Sequence, residues 1–378
     1  MRPLRKIAFL LEEFVTPSPA QQLLDRFLIG YPRDGSFHQN TNLEVSAYLV
    51  VSSESDFGRR EDFRLRIEPT AEQAVANADA VVIVSRRPGA VTNEAFVNLA
   101  LRNAPQESAC FVYGALANNL ASARQFVALA ASRKIALLAG TPISVTWRLP
   151  PIDLTPGTPL TEALIVVQVS ALAAQATPPF PPASLRGAEL HGLEGLLPVI
   201  ERRRGGEVGV RSIRFLEGKE FWRAGDKGLW SWPLLASALS RSHTPQGNSL
   251  EDGRTEDLVG LGLVRKLARN PRGWLLEHRD GLRSAILVLD GVVADFNFAA
   301  RALDGSVISA QLLRGAPPGE HHFSRLAEVI ENFFRTGTAP WPIERNVLIA
   351  GLLETFAKPA SQSGQSMKTE ELSVAYRP

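Results

Sequence analysis

Cysteine is almost absent: Cys110 is the only one in 378 residues. That excludes an internal disulfide and any multi-cysteine metal site, and the apolar run Ala109–Val112 makes Cys110 itself a buried small hydrophobe. Net charge is also missing. Lys and Arg number 41 against 39 Asp and Glu, in near balance on both sides of residue 140, so nothing favours a nucleic acid or an anionic membrane as partner. No apolar stretch approaches the roughly 20 residues that cross a bilayer. Glu12 and Glu13 stop the run Ile7–Leu11 before it can serve as a signal peptide. A Gly-x-Ser-x-Gly elbow, a P-loop and kinase motifs are all lacking, glycine does not occur before Gly30, and no lysine lies between Lys6 and Lys134. What remains, 45% hydrophobic and 21% charged residues, describes a globular chain long enough for two domains. The expectation is a cytoplasmic protein with a small-molecule or protein partner.

Two periodicities divide the chain. Up to residue 140, short apolar runs alternate with helical patterns: strand Lys6–Leu11, helix Ala20–Ile29, strand Leu43–Val51, an extended piece Arg64–Ile67, and helix Thr70–Ala76 opened by Thr70 with Gln73. Ala80–Ser85 is a continuous β-branched run, the pattern of a strand buried on both faces. Helix Asn93–Arg102, strand Ala109–Val112, helix Leu120–Arg133 and strand Ile135–Ala139 complete the series. This alternation predicts a doubly wound α/β domain with a parallel sheet. Prolines 142, 150, 151, 156 and 159, and the cluster Thr177-Pro-Pro-Phe-Pro-Pro182, then break the rhythm around strand Ala163–Val169.

Beyond lie helix Leu193–Arg202, strand Val208–Glu217 and helix Ser231–Arg241. Strands Trp274–His278, Leu282–Leu289, Val293–Arg301 and Ser306–Leu313 follow. Asp280-Gly281, Asp290-Gly291 and Asp304-Gly305 separate those four strands and accept the positive φ of tight hairpins, predicting an antiparallel meander. Helices Phe323–Phe334 and Ile343–Ala357 close the domain, and a loosely attached polar tail follows. The expected domains are 1–145, 146–360 and the tail 361–378. The near-continuous apolar run Leu282–Leu289 predicts a sheet whose free face meets a second subunit, giving a homo-oligomer.

The order of these elements resembles the Gfo/Idh/MocA oxidoreductase family, most closely a poorly characterised branch. The residues that carry the resemblance are Leu138-Ala-Gly-Thr-Pro-Ile-Ser-Val-Thr-Trp-Arg-Leu-Pro-Pro, His191-Gly-Leu-Glu, Glu201-Arg-Arg-Arg-Gly-Gly-Glu-Val-Gly-Val-Arg, Phe215-Leu-Glu-Gly-Lys-Glu-Phe-Trp-Arg-Ala, Trp230-Ser-Trp and Pro342-Ile-Glu-Arg-Asn-Val-Leu. The resemblance implies a Rossmann-like N-terminal domain and a C-terminal α+β domain with a large, open, mostly antiparallel sheet. It implies an NAD(P)-dependent dehydrogenase-type oxidoreductase acting on a sugar-like hydroxyl compound. By the same resemblance His191 is the proton-transfer residue, Trp147, Arg148 and Glu194 contact substrate, and Ser18, Glu54, Ser85 and Gly114 face the cofactor.

The family's hallmarks are altered here. The loop after the first strand, Leu11-Glu-Glu-Phe-Val-Thr-Pro-Ser-Pro, has no glycine and two carboxylates, so NAD or NADP lacks the glycine-rich loop that lets backbone approach a pyrophosphate. Ser18 remains as a helix cap. Glu54 or Asp56 stands where an acid would meet ribose hydroxyls, or is a solvated turn acid. The family's Glu-Lys-Pro lysine has no counterpart in Val112-Tyr-Gly-Ala-Leu-Ala, and Gly187 stands where an Asp would precede His191 by four. These losses keep a second reading open: a non-catalytic member serving as a binding or assembly subunit.

Of the other histidines, His321-His322 opens a helix, and His38, His243 and His278 read as surface or turn residues, so no metal site is expected. Arg202-Arg-Arg204 ends a helix where cations suit the dipole. Trp222, Trp230 and Trp232 read as core or interface residues ahead of a sugar-stacking surface.

Overall fold

The computed structural model describes residues 4–16, 18–39, 42–51, 59, 61–85, 92–152, 154–167, 185–244, 257–316, 319–358 and 364–378. The chain forms two compact units, Met1–Val145 with Arg314–Ala350, and Thr146–Leu313 with Gly351–Pro378.

The first unit opens with β1 (Lys6–Glu13), α1 (Pro19–Leu28), a small hairpin of β2 (Tyr31–Arg33) and β3 (Ser36–His38), β4 (Glu44–Val51) and β5 (Arg66–Ile67). Then come α2 (Ala71–Ala76), β6 (Ala80–Val84), α3 (Glu94–Asn103), β7 (Ala109–Tyr113), α4 (Leu120–Ser132), β8 (Ala136–Gly140) and α5 (Pro142–Val145). The strands form one parallel sheet in the order β5-β4-β1-β6-β7-β8. β6 and β7 are buried at every position. They sit inside the sheet with both faces covered, as their uninterrupted apolar sequences require. Helix starts follow local chemistry. Ser18, Thr70, Asn93 and Asn119 each accept the backbone N–H three residues on, satisfying donors that a helix leaves open at its first turn.

The second unit contains β9 (Arg148–Leu149), β10 (Leu160–Val167), α6 (Leu185–Ile200), β11 (Val210–Glu217), α7 (Gly218–Asp226), α8 (Trp232–Leu239), α9 (Leu263–Leu267), β12 (Arg269–His278), β13 (Arg283–Asp290), β14 (Phe296–Ala302) and β15 (Val307–Leu312). The chain continues with α10 (His321–Thr336), α11 (Glu344–Ala357) and β16 (Ser366–Lys368). The eight-stranded sheet runs β16-β11-β12-β13-β10-β14-β15-β9, and β10–β13 is its parallel pair. The expected meander is therefore corrected. Asp280-Gly281 and Asp304-Gly305 do turn adjacent strands. β10 lies between β13 and β14 instead, so the chain after Asp290-Gly291 crosses over it. Turn residues specify a change of direction and leave the choice of neighbour to tertiary packing.

The apolar run in β13 also has a different cause from the one expected. Leu164, Val166, Ala285, Leu287 and Ala299 pack with Phe221, Trp230, Leu234 and Leu235 of the α7–α8 region. The alternate residues Val167 and Ile286 lie under α6, where a Cβ at Gly192 would stand 2.6 Å from Ile286. Helices of the same chain cover both faces of these central strands, so the run needs no second subunit to explain it. The C-terminal residues are firmly attached as well. β16 extends the sheet beside β11, Leu372 is fully buried, and the Tyr376 hydroxyl donates to Glu201 at 3.0 Å. The proline cluster 177–182 lies outside the described residues.

Residues 314–350 contribute to the first unit. Phe323, Leu326, Ile330, Phe333, Phe334 and Trp341 share a core with Phe9, Leu23, Phe27 and Phe111. Asn346 donates to the Ala139 carbonyl.

Candidate functional site

His191 and Glu194 are three residues apart on α6 and project to the same side of it. Both are buried, and the His191 ring meets Phe296 of β14 edge-on at 5.8 Å. Phe296 pairs with Leu312 of β15, and Leu312 pairs with Arg148 of β9. These three cross-strand partners point to one face of the sheet, which puts the Arg148 backbone about 10 Å from that of Phe296, two strand spacings away. Trp147 precedes Arg148 and is 46% exposed. Its carbonyl accepts from Leu313 at 2.8 Å, and Thr146 Oγ1 bonds the Leu313 carbonyl, which anchors the short edge strand. The second unit thus brings a histidine and a guanidinium to one sheet face, with the Glu194 carboxylate on the same side of α6 as His191 and an exposed indole on the residue next to Arg148. Gly187, one turn before His191, supplies no carboxylate. Such a set offers hydrogen bonds, a stacking surface and an imidazole able to exchange a proton with a hydroxyl-rich ligand.

The residues expected to face a cofactor, Glu54 aside, belong to the first unit. Ser18 Oγ is spent on the Gln21 N–H at 3.1 Å, and Pro19, the next residue, has no N–H to offer. Phe14 is fully buried in the β1–α1 turn, and the Arg59 guanidinium stacks 5.2 Å above its ring while pairing with Asp25 at 2.7 Å. The bond to Asp25 pushes the Arg59 pKa up. Glu12 accepts from Asn93 at 2.6 Å, and Ser85 Oγ accepts the Asn93 N–H at 2.8 Å. Gly114, at φ 92°, donates to the Gly140 carbonyl and ties β7 to β8. Glu54 lies outside the described residues. A pyrophosphate at a helix N-terminus needs unspent N–H donors and a turn without side chains. Here a buried phenyl ring fills the turn, a proline and a capped donor open the helix, and Glu12 adds negative charge. The residues present at this turn do not fit a dinucleotide bound in the standard way.

No family model matches the chain, and no curated protein matches it. Solved structures do. GenD2 from gentamicin A biosynthesis, solved with NAD, aligns over 98% of this chain and 97% of its own, at 12% identity and TM-score 0.62. Myo-inositol 2-dehydrogenase from Lactobacillus plantarum aligns over 98% and 100%, at 8% identity and TM-score 0.60. The fold is that of the Gfo/Idh/MocA oxidoreductases. Scyllo-inositol dehydrogenase from Lactobacillus casei, solved with NAD(H) and scyllo-inositol, shares the Gfo/Idh/MocA fold over 97% of this chain and 99% of its own, at 12% identity and TM-score 0.57. No helix among the described residues is long and apolar enough to cross a membrane. Among the described residues, no group of three His, Cys, Asp or Glu side chains can hold a metal.

One sequence reading is corrected. His278 is no turn residue: it is completely buried, with Nδ1 3.0 Å from Glu207 and Nε2 2.9 Å from Ser284. Arg203, just beyond the C-terminal end of α6, is buried as well and bridges Glu207 at 3.0 Å and Asp280 at 2.7 Å. Ser284–His278–Glu207 has the order of a nucleophile, base and acid. Ser284 is only 3% exposed, so the set is sealed from substrate and holds β12, β13 and the loop at Glu207 together. The one visible signal in the sequence is the pair of glycines, Gly205-Gly206, that places Glu207. Of the tryptophans, Trp230 is core, its Nε1 donating to the Phe221 carbonyl at 3.1 Å. Trp222 and Trp232 stack in parallel and half-buried beside it.

Proposed function

We propose that the protein uses the Gfo/Idh/MocA fold to bind a sugar-like hydroxyl compound, with His191, Trp147 and Arg148 as the contact residues and Glu194, which is more deeply buried, positioned behind them. Dinucleotide hydride transfer of the standard kind is not part of this reading. The observation that carries it is the spent N-terminus of α1: Ser18 on Gln21, Pro19 without a donor, and Phe14 beneath Arg59. The carbohydrate class rests on the donor, acceptor and indole set around α6 and β9, and on fold neighbours that are inositol dehydrogenases.

A second reading, an oxidoreductase whose NAD or NADP sits elsewhere along the first sheet, is favoured by His191. In that reading the imidazole would serve as the base that takes the proton of a substrate hydroxyl. A thermal-shift titration of the full chain separates the two readings. In the first, inositols and hexoses raise the melting temperature saturably, His191→Ala or Arg148→Ala weakens that response, and NAD⁺, NADH, NADP⁺ and NADPH leave it unmoved at millimolar concentration. A saturable shift with any of the four nucleotides overturns the first reading in favour of the second.

A further inference from the structure

On the α8 side of the second sheet, away from His191, lies a buried carboxylate with no cation beside it among the described residues. Asp295 is 4% exposed. Its oxygens accept from Ser242 Oγ at 3.0 Å, the His243 N–H at 3.0 Å, Gln311 Nε2 at 2.7 Å and Asn297 Nδ2. All four donors are neutral. The cation closest in the hydrogen-bond network, Arg241, gives its Nε to Ser309 instead, at 2.9 Å. A buried charge met only by neutral dipoles is costly.

Asn297 and Gln311 make the imbalance specific. They are cross-strand partners on β14 and β15, so their side chains emerge next to each other on one face. Each gives its amide nitrogen to Asp295. That leaves Asn297 Oδ1 and Gln311 Oε1, both buried, with no hydrogen-bond partner. Exchanging oxygen for nitrogen in either amide would set an acceptor against the carboxylate, so the hydrogen bonds fix the assignment. An amide oxygen lies about 2.3 Å from its own nitrogen by bond geometry, so both orphan oxygens sit within about 5 Å of the same negative charge. Two unspent acceptors beside one uncompensated carboxylate are complementary to a single small positive charge, because hard cations take oxygen ligands.

We propose that a small monocation, an alkali metal ion or a primary ammonium group, binds Asn297 Oδ1 and Gln311 Oε1 with Asp295 as its outer counter-charge. The site is independent of the sugar-binding reading. To test it, the full chain is melted in choline chloride, whose bulky cation cannot enter, and then with sodium, potassium, methylammonium or calcium chloride substituted at constant ionic strength. Sodium, potassium or methylammonium raises the melting temperature saturably, by roughly 5–10 °C at a hundredfold excess over the dissociation constant. The rise disappears in Asp295→Asn and in the double variant Asn297→Leu with Gln311→Met. A response to the alkali ions identifies a metal site, and a response to methylammonium alone identifies the amine of an organic ligand. Equal melting in all four salts and choline overturns the proposal and leaves a buried water on the two oxygens. So does a response to calcium alone, or one that survives in a folded variant. The wild-type comparison decides even if the variants do not fold.

Discussion

Replacing Glu207 by Gln tests the sealed network of the second unit. Glu207 accepts from the Val208 N–H at 3.0 Å, the Gly209 N–H at 2.8 Å, His278 Nδ1 at 3.0 Å and Arg203 at 3.0 Å. Burial alone would raise its pKa, but the charges and hydrogen bonds of His278 and Arg203 outweigh that and hold the carboxyl well below the usual carboxylate range. In Glu207→Gln the amide NH₂ faces donors, and Arg203 keeps only Asp280 as a counter-charge. Removing one partner of a buried ion pair costs about 3–5 kcal/mol, which for a unit of this size lowers the melting temperature by roughly 6–20 °C. Urea denaturation at pH 7 measures the loss directly. The pH dependence follows from the depressed native pKa. The stability Glu207 contributes is fully present above the unfolded value near 4.3 and is lost as pH falls toward the folded value. Below about pH 4 the gap between wild type and variant therefore narrows by about 1.4 kcal/mol per pH unit. A loss under about 1 kcal/mol at pH 7, or a gap that stays constant down to pH 3, refutes the assignment of a paired, ionised Glu207.

Three further outcomes are expected. Gly192→Ala, which in an exposed helix would stabilise by up to about 1 kcal/mol, instead costs about 1–3 kcal/mol in urea melts, because the new methyl meets Ile286 at 2.6 Å; a stabilised variant would contradict the seating of α6 on the sheet. Leu372→Ala, in the C-terminal segment, destabilises by about 2–5 kcal/mol, since its side chain is completely buried; proteolytic release of the segment from the native protein would show it unattached. Burial pushes the Cys110 thiol up to about 12, so a disulfide reagent at pH 8 leaves it unmodified until urea unfolds the chain; prompt labelling of the native protein would place it at the surface.

Much of the first sheet was legible because its information is local. Ala80–Val84 and Ala109–Tyr113 are apolar at every position, and capping residues such as Thr70 and Asn119 sit directly ahead of their helices. The order of the second sheet was not. Asp290-Gly291 announces a turn, but nothing within the four strands shows that Leu160–Val167 will come between two of them. His278 was misread for a related reason. Its neighbours Asp280 and Gly281 are turn residues, while the partner that buries it, Glu207, is 71 positions away. At the candidate site the motif located His191 on its helix, but its contact with Phe296 depends on strand register. The absence of glycine after β1 was evident in the sequence. That Phe14 and Arg59 occupy the turn was not.

The core of the first unit has a consequence for how the protein is made. Phe9 and Phe27 share their cluster with Phe323, Phe333, Phe334 and Trp341, residues that leave the ribosome some three hundred positions later. An emerging chain can pair β1, β4, β6, β7 and β8, yet one apolar side of that sheet stays uncovered until the second sheet has been translated as far as β15. Loop closure over such a separation slows folding, and the waiting surface is the kind that aggregates or recruits a chaperone. A fragment ending at residue 145 would inherit that exposed surface permanently. Dissecting the protein into workable pieces thus calls for a circular permutation or a fused 314–350 segment rather than a cut at the end of α5.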